Sequence, residues 1–186
     1  MNKTTAIRVV LDATSDRPTV FTTGYACRIA RHLADRPGHF YMTGSMGLAA
    51  SVATGIALAT GRTAVAVDGD GSLLMNPTTL VTAGALPGLP LVHVVLDDAS
   101  YASTGGQRSP AAATDFTAWA RACGYPSVAR TEQPEELAAL LREALERPGP
   151  TLVQVVLTDP DERVPPRIDL ELDEHWRTFT RHVTTV

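Results

Sequence analysis

Val65-Ala66-Val67-Asp68-Gly69-Asp70-Gly71-Ser72 decides how this chain is read: an apolar run stops abruptly on Gly-Asp-Gly-Ser. A strand that ends this way delivers one carboxylate and several backbone N–H groups to a single point. Hard divalent cations take carboxylate oxygens together with a ligand's phosphate oxygens, so the pairing suits a metal and a phosphate bound side by side. A second apolar run, Leu91-Val92-His93-Val94-Val95-Leu96, stops on Asp97-Asp98 and offers further metal ligands.

Outward from these two runs, short β-branched segments alternate with helical ones. The alternation predicts an α/β fold, a three-layer sandwich with a mostly parallel sheet and helices on both faces. Strands are expected over residues 19–23, 39–42, 63–67, 91–96, 127–130 and 151–157. The unbroken apolarity of 91–96 fits a strand covered on both faces, with His93 as a core histidine whose hydrogen bonds are met. A helix is expected over 25–35, with Arg28 and Arg31 on a solvated face, and another over 47–60, rich enough in Ala and Gly to approach a neighbouring backbone closely. Asn76 as N-cap and Pro77 at the first helical position start a helix running to about Leu86. Gln133-Pro134-Glu135-Glu136 opens a further one with an acidic first turn. Residues 100–113 read as a mobile loop directly after the second acidic strand end, where ligand contacts gather.

At 186 residues and 44% hydrophobic but only 5% aromatic, the chain is expected to be one domain (residues 1–186) with a core of Ala, Val and Leu. Residues 159–186 form a C-terminal extension, acidic through Asp161, Glu162, Asp169, Glu171, Asp173 and Glu174 and ending in a helix with Trp176 and Phe179. A net charge of -4 without any Lys/Arg run argues against a nucleic-acid partner. Cys27 and Cys123 lack metal-site spacing and read as reduced thiols. No signal-peptide core and no membrane-spanning stretch is visible, which predicts a cytoplasmic protein with no membrane partner. A dinucleotide fingerprint fails at Leu74, an EF-hand fails at Leu73 and Thr79, and no phosphate-binding G-x-x-x-x-G-K-[ST] loop occurs.

Two more turns follow predicted strands: Thr22-Thr23-Gly24 and Thr43-Gly44-Ser45-Met46-Gly47. In a parallel sheet all four strand ends converge on one edge. With Phe40 to Leu48, Asp68 to Asn76 and Ser103-Thr104-Gly105-Gly106-Gln107, the constellation resembles the diphosphate-binding domain of thiamine diphosphate (ThDP) enzymes. Within them it is most similar to the sulfopyruvate and phosphonopyruvate decarboxylases, over roughly Thr19 to Thr158.

The resemblance implies ThDP and Mg2+ as cofactors. It assigns the metal to the side chains of Asp70 and Asp98 and the carbonyl of Ser100. Gly24, Gly71 and Ser72 would contact the diphosphate, partly through backbone N–H groups, with Thr23 and Gly69 also binding the cofactor. Gly44, with Ser45 beside it, would offer its carbonyl to the aminopyrimidine, and Met46 would be the apolar wedge that keeps the cofactor bent. The family carries Asn where this chain has Asp98, so the site holds one extra carboxylate, which attracts the metal but repels the diphosphate.

Implied too is the decarboxylation of a small anionic 2-oxo acid to an aldehyde and carbon dioxide, 3-sulfopyruvate to sulfoacetaldehyde in the first reading. Gln107 and Arg108 are candidates to hold the substrate's sulfonate or phosphonate. The family activates its cofactor with a glutamate, yet no glutamate precedes Glu132. That catalytic carboxylate is therefore expected on a pyrimidine-binding α-type subunit, with this chain active only in a hetero-oligomer. The alternatives are a phosphonopyruvate decarboxylase subunit, another ThDP lyase or carboligase, and a non-catalytic ThDP-binding regulatory subunit.

Overall fold

The computed structural model describes residues 1–160 and 163–184, so Asp161 and Glu162 of the acidic extension lie outside the described residues. Six strands form one wholly parallel sheet: β1 (Thr19–Phe21), β2 (His39–Tyr41), β3 (Ala64–Gly69), β4 (Leu91–Asp97), β7 (Ser127–Thr131) and β8 (Thr151–Val156), in the order β2-β1-β3-β4-β8-β7. Each expected strand is present within a few residues of its predicted bounds. The loop expected over 100–113 is instead a short antiparallel hairpin, β5 (Ser100–Tyr101) with β6 (Gln107–Arg108), followed by a 3-10 turn over Pro110–Ala113.

Side chains alternate across the sheet and divide the core in two. Val65, Val67, Val92, Val94 and Leu96 pack beneath α1 (Lys3–Ala13), α2 (Tyr25–Leu33) and α7 (Pro134–Glu146). Ala64, Ala66, Leu91 and Val95 pack beneath α3 (Ala49–Thr60), α5 (Thr78–Gly84) and α6 (Phe116–Ala122). The Ala-rich face of α3 serves this packing, with Ala49, Ala50, Ala53 and Ala57 buried, and Gly61 closes the helix in the left-handed conformation at φ 65.

Three helices escaped the sequence. In α1 the Asn2 side chain accepts from the Thr5 N–H at 2.9 Å, and Ala6, Ile7, Val10 and Leu11 face the core. The short α4 (Asp70–Met75) grows directly out of β3, and α6 is capped by the Asp115 side chain. Because α4 comes first, Asn76 does not open α5 as an N-cap. It closes α4 instead, and its amide donates to the Gly47 carbonyl at 2.9 Å.

The predicted C-terminal helix is α8 (Leu172–Thr184), and it covers the edge strand β2. The Tyr41 N–H, exposed on that edge, donates to His175 Nε2 at 3.1 Å, while the His175 ring stacks on Phe40 and Tyr41. An imidazolium has no lone pair to accept with. Burial, with the Arg36 guanidinium nearby, pushes the His39 imidazole down to about 4, and burial lowers His175 as well. Both folded values lie below that of the unfolded chain, so their contribution to stability is complete above roughly pH 6.5 and is lost as pH falls toward 4. As pH drops across that window, the Tm of His39→Gln is expected to fall less than that of the wild type, since His39 contributes on the order of 3 kcal/mol. An equal pH dependence of Tm in the two chains contradicts this.

Candidate functional site

In a doubly wound sheet the crevice opens where the chain changes direction, and here that point lies between β1 and β3. The ends of β2, β1, β3 and β4 are successive neighbours, so the four turns singled out in the sequence meet along one edge. A cavity of about 50 Å³ there is lined by Thr23, Met46, Gly69, Asp70, Gly71, Ser72, Asp98 and Ser100, among others. A larger one of about 290 Å³ adjoins it through Thr23, Met46 and Ser103, and contains Gly24, Arg28 and Arg167. Eight of the eleven predicted site residues thus border the first cavity and Gly24 borders the second. Gly44 and Ser45 stand exposed in the turn before Met46, Ser45 at φ 54. Gln107 and Arg108 are exposed on β6 and border neither.

Beneath the cavity floor a buried hydrogen-bond hub ties three of the strand ends together. The Ser72 hydroxyl donates to Asp68 Oδ1 at 2.6 Å, accepts from the Gly47 N–H at 3.0 Å and lies 2.9 Å from the Thr22 hydroxyl. The other Asp68 oxygen faces His93 Nε2 at 3.0 Å, and His93 is completely buried. Half of the expectation for His93 holds: Nε2 is satisfied, whereas Nδ1 has no partner among the described residues. With its hydroxyl committed, Ser72 is left only its main chain for a ligand.

Asp70 and Asp98 supply the charge. Asp70 is 2% exposed, and burial pushes its carboxyl up to about 6, a rise that the carboxylates of Asp98 and Asp97 reinforce and a hydrogen bond from Ser109 opposes. Asp97 and Asp98 diverge, as successive residues of a strand must. Asp97 is held internally by the Gln154 amide at 2.8 Å and the Ala99 N–H at 3.1 Å. Asp98 accepts from the Ser100 N–H at 3.1 Å through Oδ1 and pairs with Lys3 Nζ at 2.7 Å through Oδ2.

Gly44 and Gly69 leave open space beside the site, whereas at Gly71 and Gly24 neighbouring side chains already fill it. Gly44 has no atom within 4 Å of where a Cβ would stand, and Gly69 meets only a carbonyl at 3.9 Å. At Gly71 a Cβ would fall 2.4 Å from the Tyr101 ring, and at Gly24, φ +102, 2.9 Å from Ser103 Oγ. Tyr101 and Ser103 belong to the β5–β6 hairpin, and Ser109 just beyond it donates to Asp70. The hairpin therefore rests on the residues that would meet the diphosphate.

The donor set fits a hard cation with a phosphate: two carboxylates and a carbonyl, all oxygen, one carboxylate buried where a positive charge would relieve it. No three His, Cys, Asp or Glu side chains converge on a metal position among the described residues, so a cation here depends on the carbonyl and on the ligand's own oxygens. Lys3, Tyr101 and Ser109 were missed in the sequence. The sequence signal for Lys3 lies in the helix it opens, marked by the Asn2 cap and the apolar spacing at 6, 7, 10 and 11.

Residues 22–155 match the thiamine pyrophosphate enzyme C-terminal TPP binding domain. The chain is 35% identical over 178 residues to the sulfopyruvate decarboxylase subunit beta of Methanothermobacter thermautotrophicus, covering 96% of this chain and 93% of that one. It is 45% identical over 150 residues to the phosphonopyruvate decarboxylase of Streptomyces viridochromogenes, covering 81% of this chain but 38% of that enzyme. The chain thus spans little more than a third of the phosphonopyruvate decarboxylase. Among solved structures, a putative thiamin diphosphate-dependent enzyme from Mycobacterium smegmatis superposes with a TM-score of 0.71 at 28% identity, over 85% of this chain and 32% of that one.

Proposed function

The chain belongs to the thiamine pyrophosphate enzymes through their C-terminal TPP binding domain, and we propose that it is the diphosphate-binding subunit of a two-subunit, ThDP- and Mg2+-dependent decarboxylase that converts 3-sulfopyruvate to sulfoacetaldehyde and carbon dioxide. The observation that carries the proposal is the meeting of Asp70, Asp98 and Ser100 with Gly69, Gly71 and Ser72 in one cavity at the end of β3. Asp70 and Asp98 with the Ser100 carbonyl hold Mg2+. The main chain at Thr23, Gly24, Gly71 and Ser72 would hold the diphosphate, the Gly44 carbonyl beside Ser45 would meet the aminopyrimidine, and Met46 would pack against the cofactor. Bound ThDP supplies the nucleophilic carbon and the electron sink; this chain anchors and orients it.

The reading as one half of an active site rests on the glutamates. All occur at position 132 or beyond, and none borders either cavity among the described residues. The activating carboxylate then comes from a pyrimidine-binding α-type subunit, in keeping with the beta-subunit relatives. Arg28 and Arg167 in the adjoining cavity suit a small anionic 2-oxo acid. The higher identity to phosphonopyruvate decarboxylases favours phosphonopyruvate as a second reading.

Co-expression with the α-type subunit and assay of both substrates tests this. No turnover is expected from the 186-residue chain alone and robust aldehyde release from the pair. Decarboxylation by the chain alone overturns the divided site. Faster turnover of phosphonopyruvate selects the second reading, and ThDP uptake without turnover of either acid makes the chain a regulatory subunit.

A further inference from the structure

We infer that Lys3 is a positioning residue of the cofactor site: its ammonium offsets the Asp98 carboxylate, so that a site with two carboxylates can still accept a diphosphate. The inference rests on the ThDP and Mg2+ reading above and concerns a residue far from every motif that supports it.

Lys3 opens α1, yet its side chain is not on the surface. The residue is 7% exposed and lines the same cavity as Gly69, Asp70, Gly71 and Ser72. Nζ lies 2.7 Å from Asp98 Oδ2, with side-chain exposures of 9% and 19% for the pair. The ammonium also stands 5.7 Å from the centre of the Tyr25 ring, beside the Gly24 turn, a second favourable environment for a cation. Taking an ammonium out of water is costly unless an opposite charge receives it. A lysine in the first turn of a helix also opposes the helix dipole, so the position is not explained by α1 itself.

The pair with Asp98 brings the ammonium charge to the cavity. Asp97 is turned away and held by Gln154 and Ala99, which leaves Asp70 and Asp98 as the carboxylates facing the ligand space. Two carboxylates bind a divalent cation well, but they repel the diphosphate that must share it, and low-dielectric surroundings magnify both effects. Lys3 cancels one of the two charges. Its removal should therefore move the two affinities in opposite directions: toward the bare metal upward, toward the diphosphate downward. A side chain that merely packs α1 against the sheet would move both the same way.

The test is calorimetry on the full chain, first with MgCl2 alone and then with ThDP at saturating Mg2+. In Lys3→Met, Mg2+ alone is expected to bind several-fold tighter and ThDP roughly tenfold more weakly. Lys3→Arg keeps the charge and both affinities. Asp98→Asn with Lys3 intact gives the mirror image, weaker metal and tighter ThDP, and needs no change in α1. Combining Lys3→Met with Asp98→Asn restores ThDP binding to near the wild-type value. The inference is overturned if both affinities fall together in Lys3→Met, if ThDP binding is unchanged there, or if the double variant recovers nothing. A wild-type chain that takes up no ThDP, even with the α-type subunit, removes the cofactor reading itself. Wild-type uptake with an indifferent Lys3→Met removes only the role of Lys3.

Discussion

Asp70→Asn is expected to abolish uptake of Mg2+ and ThDP and, in the same molecule, to raise the melting temperature of the metal-free chain at neutral pH. Both effects come from one buried carboxylate. Burial first, then the neighbouring Asp98 and Asp97, raise the Asp70 carboxyl from an ordinary 3.8 to about 6 against the opposing Ser109 hydrogen bond. With the folded value above the unfolded one, the folded chain binds more protons between those limits, so stability falls as pH rises through the window. Above about pH 6 the charged group costs the metal-free fold on the order of 3 kcal/mol. A neutral amide of the same size escapes that cost, for a gain of several degrees at pH 7 that disappears by pH 4. The amide also withdraws the charge that would hold the proposed cation, and a loss of at least about a hundredfold in affinity is expected. Stability and binding moving oppositely is the mark of a residue kept for a ligand. Differential scanning calorimetry at pH 4 and 7, with ThDP titrations at pH 7, checks both signs. An Asp70→Asn chain that melts below the wild type at pH 7, or that still binds ThDP, contradicts the account.

How much of this was legible in the chain follows from which interactions are local. β3 and β4 could be read from their unbroken apolar runs, because a parallel strand buried on both faces has no polar side to conceal it. Asp70 and Asp98 could be placed because each ends such a strand, and parallel topology alone carries strand ends to one edge. The helix α4 was hidden for the opposite reason. Gly69-Asp70-Gly71-Ser72 has the composition of a turn, and the helix there is tied down by long-range bonds, among them those of Ser72 to Thr22 and Gly47. Lys3 and Asp98 are 95 positions apart, and Ser109 and Asp70 are 39 apart. Their meetings are set by how α1 and the hairpin pack on the sheet, which no spacing encodes. The Asn76-Pro77 signal placed the start of α5 within two residues, but Pro77 is its cap, because Asn76 already closes α4.

His93→Leu is expected to cost the fold about 3 to 5 kcal/mol, because it strands a buried charge rather than because it removes a contact. Asp68 is 1% exposed and has two partners, His93 Nε2 at 3.0 Å on one oxygen and the Ser72 hydroxyl at 2.6 Å on the other. Leucine fills the space without donating, and the uncompensated oxygen stays in the apolar layer beneath α3. Typical domains hold only about 5 to 15 kcal/mol in all, so a large part of the stability goes with one imidazole. The damage also reaches the site. Asp68 orients the Ser72 hydroxyl, and that hydroxyl receives the Gly47 N–H next to Met46, so a shifted Asp68 loosens the turn meant to support the cofactor. Urea denaturation should show the loss, and ThDP affinity should fall even though His93 borders neither cavity. The discriminating control is His93→Leu combined with Asp68→Leu, which removes the charge together with its donor. If the orphaned carboxylate is the cause, the double variant is more stable than His93→Leu alone while ThDP binding stays impaired. Equal or greater instability in the double variant would assign the cost to packing instead.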